Sequence, residues 1–148
     1  MANKRGNNHT LIKKRYEAVI KKAEEGDIYS MRLIALAYTD GDYLPKDFLA
    51  AEAWLRKAAE LDSEEAKKEL AKLLTDGKGV AQDYEEAFGI YHELMLDCDL
   101  DGMVGVGNAY KYGKGIQQDV TKGSFFLQQA FDIELGIMNH EQKEQSKK

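Results

Sequence analysis

Hydrophobic and polar positions recur along residues 26–131 with a fixed period of 36 residues. Small side chains share one phase and large apolar side chains share another: Ala35, Ala71 and Gly107, then Trp54, Ile90 and Phe126. No insertion interrupts this register, so the segment is a true internal repeat written three times. A period of this length predicts an array of stacked supersecondary units.

Each repeat is expected to form two helices joined by a glycine-rich turn. In the second repeat, Ala66, Leu70 and Leu74 recur at helical spacing. Gly77 follows them as a helix terminator, and Asp83 is placed to cap the helix after the turn. The pattern predicts an all-α array of about seven helices. Three glycines are expected just past helix ends: Gly41, Gly77 and Gly113.

The register divides the chain into five expected segments. Residues 1–25 form an N-terminal tail and a capping helix that begins near Thr10. Residues 26–61, 62–97 and 98–133 form repeats 1, 2 and 3, and residues 134–148 form a C-terminal cap and a disordered polar tail. Four apolar residues are expected to fold back as this cap, or alternatively to leave an exposed end that forms a homodimer: Ile133, Leu135, Ile137 and Met138.

Two glycines stand out in the first helix of the third repeat. Gly102 and Gly105 each cost about 1 kcal/mol relative to alanine within a helix. One interpretation is tolerated sequence drift, and the other is a helix face kept bare for the backbone of a partner. This helix is expected to be the least stable of the array.

These residues resemble the Sel-one-like repeat, a relative of the tetratricopeptide repeat. The resemblance rests on the small residues, turns and caps of all three repeats, as in Tyr38, Gly41 and Asp47 of the first. It departs from the family at Tyr43, which replaces the second turn glycine, and at Cys98, where a repeat usually opens with glycine. The resemblance implies an α-solenoid, a right-handed superhelix of antiparallel helix pairs, that works as a non-catalytic adaptor for proteins or peptides.

Charge and cysteine content narrow the class of protein. Residues 26–135 hold eleven Lys or Arg and twenty-one Asp or Glu, a net charge of −10, which is unfavourable for nucleic-acid binding. The single cysteine allows no intramolecular disulfide, unlike the secreted members of the resembled family, which cross-link their repeats. No signal peptide or membrane-spanning run is evident. A cytoplasmic protein is expected.

No catalytic or metal-binding constellation is evident. His92 and Cys98 are six residues apart, which is not a zinc-ligand spacing, and no second cysteine exists. The two Gly-Lys-Gly turns lack phosphate-loop spacing and a Ser or Thr after the lysine. We therefore expect no enzymatic activity, no metal and no cofactor.

The first helices of the repeats are expected to line a concave partner-binding groove. At these positions the side chains differ among repeats, whereas core positions recur, which favours binding over an ordinary solvated face. Basic residues there are expected to meet carboxylates of the partner. An inhibitor or immunity protein that binds an enzyme is the alternative to an adaptor. The predicted groove residues are Tyr29, Arg32, Leu36, Lys68, Lys72, Val104, Asn108, Lys111 and Tyr112.

Overall fold

The structure, a computed structural model, describes the backbone of residues 4–147 and the side chains of residues 14–136 and 142–147. The helices are α1 (Lys4–Glu24), α2 (Ile28–Asp40), α3 (Phe48–Glu60), α4 (Glu64–Asp76), α5 (Tyr84–Leu96), α6 (Leu100–Tyr112) and α7 (Val120–Gln145). The described residues contain no β-strand. The expected all-α fold is confirmed, with repeat 1 forming α2 and α3, repeat 2 forming α4 and α5, and repeat 3 supplying α6 and α7.

Each helix from α2 to α7 begins behind an Asp or Ser side chain that caps it. In α3, the Asp47 carboxylate accepts a hydrogen bond of 3.0 Å from the N–H of Ala50. In α5, Asp83 accepts one of 2.9 Å from the N–H of Glu86. Such a cap satisfies an amide that the helix leaves without a partner, and its removal costs about 1 kcal/mol. Local sequence therefore determines where these helices begin.

The first helix of every repeat ends at a glycine, as the sequence predicts. Gly41, Gly77 and Gly113 have φ values of +74°, +61° and +66°, in the left-handed region. The N–H of Gly41 donates to the carbonyl of Ala37, 3.0 Å away, and thereby closes the last turn of α2. Glycine adopts this conformation without the steric cost that a Cβ brings.

The residue that opens each repeat is also left-handed, whether or not it is glycine. Gly26 has φ +98°, while Asp62 and Cys98, one and two periods later, have φ +64° and +65°. Asp62 is further engaged, because its Oδ1 lies 2.6 Å from Nζ of the buried Lys67. That hydrogen bond and charge hold the pKa of Asp62 below its usual value. Cys98 likewise keeps the left-handed backbone of Gly26, although its Cβ makes that conformation strained.

The chain divides into two compact units, residues 1–82 and 83–148. In the first, Ile34 of α2 and Leu74 of α4 are among the largest fully buried side chains. In the second, Leu94 of α5 and Val106 of α6 take these roles. Alanines in the expected small-residue phase are buried too: Ala35, Ala51, Ala71 and Ala87.

The glycines of α6 pack against neighbouring helices of their own unit, so neither interpretation from sequence is correct. A Cβ on Gly102 would lie 2.5 Å from the backbone nitrogen of Met95 in α5. A Cβ on Gly105 would lie 2.2 Å from the ring of Tyr91. Both distances are far below van der Waals contact. These glycines are therefore neither drift nor a surface for a partner; they let α5 approach α6.

Tyr43 stands where the second repeat has a turn glycine, and its ring packs on α1. The equivalent Gly79 has φ +73°, and a Cβ there would lie 2.1 Å from the Phe48 ring. Tyr43 instead stacks on Tyr16 of α1, with ring centroids 5.7 Å apart. The contact joins α1 to the turn after α2, which is consistent with a capping role for α1.

Both terminal helices are longer than expected. Helix α1 begins at Lys4, so Thr10 lies within the helix and does not cap it. Helix α7 continues to Gln145 without folding back, and Ile133 and Leu135 are 42% and 45% exposed. The fold-back and the disordered polar tail are therefore wrong for the described residues; the side chains of residues 137–141 lie outside them. The boundaries of the five segments remain predictions.

Candidate partner-binding surface

The predicted groove residues of the first unit lie on α2 and α4 with unequal exposure. Tyr29 and Leu36 of α2 are 70% and 54% exposed. Lys72 of α4 is exposed, whereas Arg32 and Lys68 are half-buried. Ile34 and Ala35 of α2 are buried between these positions. Helical rotation thus separates core from surface in α2 as the periodicity indicates.

Arg32 is already paired within the chain. Its guanidinium lies 2.6 Å from Oε1 of Glu69 on α4. This hydrogen bond raises the pKa of Arg32 above its ordinary value, with Glu65 adding to the same effect. A partner carboxylate could reach Arg32 only in competition with Glu69. The sequence pattern could not show this pairing, because Arg32 and Glu69 belong to different repeats.

A cleft of about 410 Å³ opens among α2, α3 and α4, and we call it the α2–α4 cleft. Five apolar side chains and six charged or polar side chains line it. Among the predicted groove residues, Leu36 and Lys72 line it, whereas Tyr29, Arg32 and Lys68 do not. The full lining is Ala35, Leu36, Thr39, Asp40, Phe48, Leu55, Glu69, Lys72, Leu73, Asp76 and Lys78.

Sequence reasoning missed the contribution of the second helix of the repeat. Phe48 and Leu55 belong to α3, yet both line the α2–α4 cleft. Leu55 shares its phase with the large side chains Tyr91 and Leu127, and that recurrence could have identified it. A volume of a few hundred Å³ lies in the range of ordinary ligand and side-chain pockets.

The predicted groove residues of the second unit lie on α6. Val104 and Tyr112 are 38% and 57% exposed, and Asn108 is half-buried. The Lys111 ammonium lies 5.4 Å from the centroid of the Tyr112 ring, a cation–π contact. A second cleft, of about 440 Å³, lies between α6 and α7, and Val104 is the predicted residue that lines it. We call it the α6–α7 cleft; its lining is Leu100, Asp101, Val104, Leu127, Ala130, Phe131 and Glu134.

The candidate reactive side chains are exposed. His92 lies on α5 with its ring 5.9 Å from the ring of Phe88. Cys98 is a free, exposed thiol at the turn before α6. Across the described residues, no group of three or more His, Cys, Asp or Glu side chains is arranged to hold a metal ion. Over the same part of the chain, no helix has the length and apolar character needed to cross a membrane.

A family profile decides what the repeats are. The Sel1 repeat profile matches residues 28–63, 65–93 and 100–132, one match for each helix pair. The chain belongs to the Sel1 repeat family. Members of this family generally act as protein–protein interaction modules and are typically non-catalytic. The resemblance drawn from the turns and caps is confirmed.

Solved structures with the same fold include three bacterial proteins. A Sel1 repeat protein from Oxalobacter formigenes has a TM-score of 0.69 and 26% identity, over 78% of this chain and 88% of that one. A protective antigen of uropathogenic Escherichia coli strains, displaying an SLR fold, has a TM-score of 0.70 and 24% identity over 77% of this chain. This Sel1 repeat chain spans 24% of that antigen's length.

The third structure is Helicobacter pylori cysteine rich protein B. It gives a TM-score of 0.56 and 22% identity over 84% of this chain and 89% of that one. At this identity the likeness to the Escherichia coli and Helicobacter pylori proteins shows the fold alone. Among curated proteins, no match to this Sel1 repeat chain is found.

Proposed function

We propose that this chain is a non-catalytic adaptor that binds a protein or peptide partner through the α2–α4 cleft. The observation that carries the proposal is the cleft itself, about 410 Å³, whose lining includes five apolar side chains, among them the exposed Leu36. An apolar concavity with a few polar groups is the usual form of a binding site on a rigid scaffold. The family's general role in protein–protein interaction supports the same assignment.

The apolar part of the α2–α4 cleft fits an anchoring side chain of the partner. Leu36 and Phe48 line it together with Leu73, which is buried. A large aromatic or aliphatic side chain inserted there removes apolar surface from water at about 25 cal/mol per Å². Such central anchors dominate the binding energy of protein interfaces.

The polar part of the cleft sets the charge that the partner presents. Lys72 and Lys78 line the cleft together with three acids, Asp40, Glu69 and Asp76, of which Glu69 is paired with Arg32. Because Glu69 holds Arg32, we assign the contact with a partner carboxylate to Lys72 instead of to Arg32. Exposed charge pairs of this kind contribute modestly to affinity and more to orientation and association rate.

The proposal includes a cytoplasmic location in a bacterial cell. The single cysteine suits a reducing compartment, where disulfides are rare. The structural neighbours named above come from bacteria, which supports a bacterial source. Fractionation of the source cell with an antibody to the chain tests this part, and recovery in a compartment other than the cytoplasm would contradict it.

Site-specific photo-crosslinking tests the location of binding. A photoreactive phenylalanine analogue is placed at Leu36, which lines the cleft, and separately at Leu49 of α3, which is 65% exposed and does not. We expect one dominant crosslinked protein from Leu36 and none of it from Leu49 in the source-cell extract. Crosslinking of the same protein from Leu49 alone would place binding elsewhere. The identity of the protein then separates an adaptor from an enzyme inhibitor.

A further inference from the structure

The first repeat shows how one Sel1 repeat covers the next. Helix α4 packs on α3, where Leu55 is 3% exposed and Ala58 is fully buried. Polar contacts accompany this packing, since Arg32 of α2 bonds Glu69 of α4 and Asp62 bonds Lys67 of α4. The α2–α3 face of repeat 1 is therefore occupied by a helix whose charges complement it.

The equivalent face of the third repeat is open. Two periods after Leu55 and Ala58 stand Leu127 and Ala130, which line the α6–α7 cleft. Leu127 is half-buried, whereas the equivalent Leu55 is buried. Phe131, which lines the same cleft, is 58% exposed. α7 is the last helix of the described residues, and it continues outward as one helix. The α6–α7 cleft thus corresponds to the place that α4 occupies on repeat 1.

The charges around this cleft differ from those of repeat 1 in a way that limits which helix could pack there. Its charged lining residues, Asp101 and Glu134, are both acidic. Val104 stands two periods after Arg32, so the arginine that faces Glu65 and Glu69 of α4 has an apolar counterpart here. A helix suited to this cleft therefore needs an apolar stripe, no acid opposite Val104, and a basic residue opposite Glu134.

We propose that the α6–α7 cleft is a docking site for an amphipathic helix of a partner protein, with an apolar stripe and a basic flank. Like-charge contact argues against a second copy of this chain joined α7 to α7. Glu134 lines the cleft together with Phe131, so self-pairing through α7 would bring the Glu134 carboxylates of both copies into one interface. This site is separate from the α2–α4 cleft and does not depend on it.

A peptide copied from α4 is the probe. It spans residues 62–77, carries Glu65→Lys and Glu69→Leu, and is stapled on its outer face because short isolated helices are marginal in water. Fluorescence anisotropy measures its binding to the full chain. We expect a Kd below about 100 µM, and a loss of about fivefold or more when the peptide also carries Lys67→Glu.

Two phenylalanines of α7 provide a matched pair of variants. Phe131 and Phe125 are each 58% exposed, but only Phe131 lines the cleft. We expect Phe131→Asp to weaken peptide binding about tenfold or more and Phe125→Asp to change it less than about twofold, with circular dichroism confirming that both variants fold. The proposal is overturned if the peptide shows no binding at about 1 mM, or if the two variants weaken it equally. It is also overturned if sedimentation shows a dimer of the chain that Phe131→Asp dissociates.

Discussion

The first and third repeats solve the same packing problem with different side chains. In repeat 1, Ala35 of α2 and Ala51 of α3 are buried, each with its methyl group. In repeat 3 the same phase holds Gly107 and Gly123. A Cβ on Gly123 would lie 2.5 Å from the nitrogen of Lys111 and 2.7 Å from the carbonyl oxygen of Gly107. The backbones of α6 and α7 therefore approach closely at the two positions where repeat 1 carries buried methyl groups.

This difference shows that the 36-residue register specifies which faces meet, while the side chain at each position determines how closely the helices approach. Loss of two methyl groups could have left a cavity between α6 and α7. Instead the helices close the space, as dense protein interiors require. The same adjustment places α5 against Gly102 and Gly105 of α6. The glycines of the third repeat thus allow α6 to approach α5 and α7 closely.

The largest effect is expected from giving the third repeat the alanine that the first two repeats carry at the position of Gly123. Gly123→Ala should lower the free energy of unfolding by about 3 kcal/mol, because the added methyl meets backbone atoms that cannot move independently. The control is Gly136→Ala in the same helix, where a Cβ meets nothing within 4 Å. That change should stabilise by up to about 1 kcal/mol through helix propensity. Urea unfolding measures both, and equal effects would contradict close backbone contact.

The converse substitution in the first repeat should have a smaller effect. Ala51→Gly removes a fully buried methyl group and lowers helix propensity. The two contributions are about 0.8 and 1 kcal/mol, for a total destabilisation of about 2 kcal/mol. The same urea titration reports the change. Stabilisation by Ala51→Gly would mean that α2 and α3 can close as α6 and α7 do, and that the alanine spacing is not required.

The second and third repeats open with a left-handed residue that is not glycine, unlike Gly26 in the first. Cys98 has a left-handed backbone at φ +65°, which a side chain destabilises by about 1–2 kcal/mol. Glycine relieves this strain but gives the unfolded chain more freedom, so Cys98→Gly should stabilise by about 0.5 kcal/mol. Thermal unfolding under reducing conditions measures it. A lower Tm would show that the Cys98 side chain contributes contacts that outweigh the strain.

Asp62 at the equivalent turn should give the smallest effect, and one that depends on pH. Its hydrogen bond and charge interaction with Lys67 lower its pKa in the folded chain. The stabilisation is therefore fully present above the unfolded value of about 3.9 and is lost as pH falls through the folded pKa. Asn tolerates the left-handed backbone, so Asp62→Asn tests charge alone. We expect the Tm of Asp62→Asn to lie below that of the wild-type chain at pH 7, and the difference in Tm to disappear below about pH 4. A difference in Tm that stays constant with pH would contradict a charge interaction at Asp62.

The sequence predicts the helices of this fold well because local signals define them. Caps such as Asp47 and terminators such as Gly77 act within a few residues, and the periodic pattern assigns the core face of each helix. The start of α1 and the end of α7 were missed because Thr10 lies within α1 and does not cap it, and because α7 continues through Gly136. The contacts of Gly102 and Gly105 with α5 were missed because the sequence does not show which neighbouring helix the glycine face of α6 packs against.

The candidate site was predicted less completely. Leu36 and Lys72 were identified, since exposure follows helical rotation within one helix. The pairing of Arg32 with Glu69 and the inclusion of Phe48 in the cleft depend on how three helices pack together. A pattern along the chain contains no such distances. Site residues on one helix face are therefore predictable, whereas their pairing across helices requires the structure.

The most direct test of the functional account is the affinity of the crosslinked partner for two leucine variants. Leu36→Asp places a charge in the α2–α4 cleft, and Leu49→Asp places one on a leucine outside it that is slightly more exposed. Surface changes of this kind usually alter stability by about 0.5 kcal/mol or less, so both variants should keep the wild-type Tm. By isothermal titration calorimetry, we expect Leu36→Asp to weaken binding by about 2 kcal/mol and Leu49→Asp to leave it unchanged. Unchanged affinity for Leu36→Asp, with loss for Leu49→Asp, would contradict the assignment of the cleft.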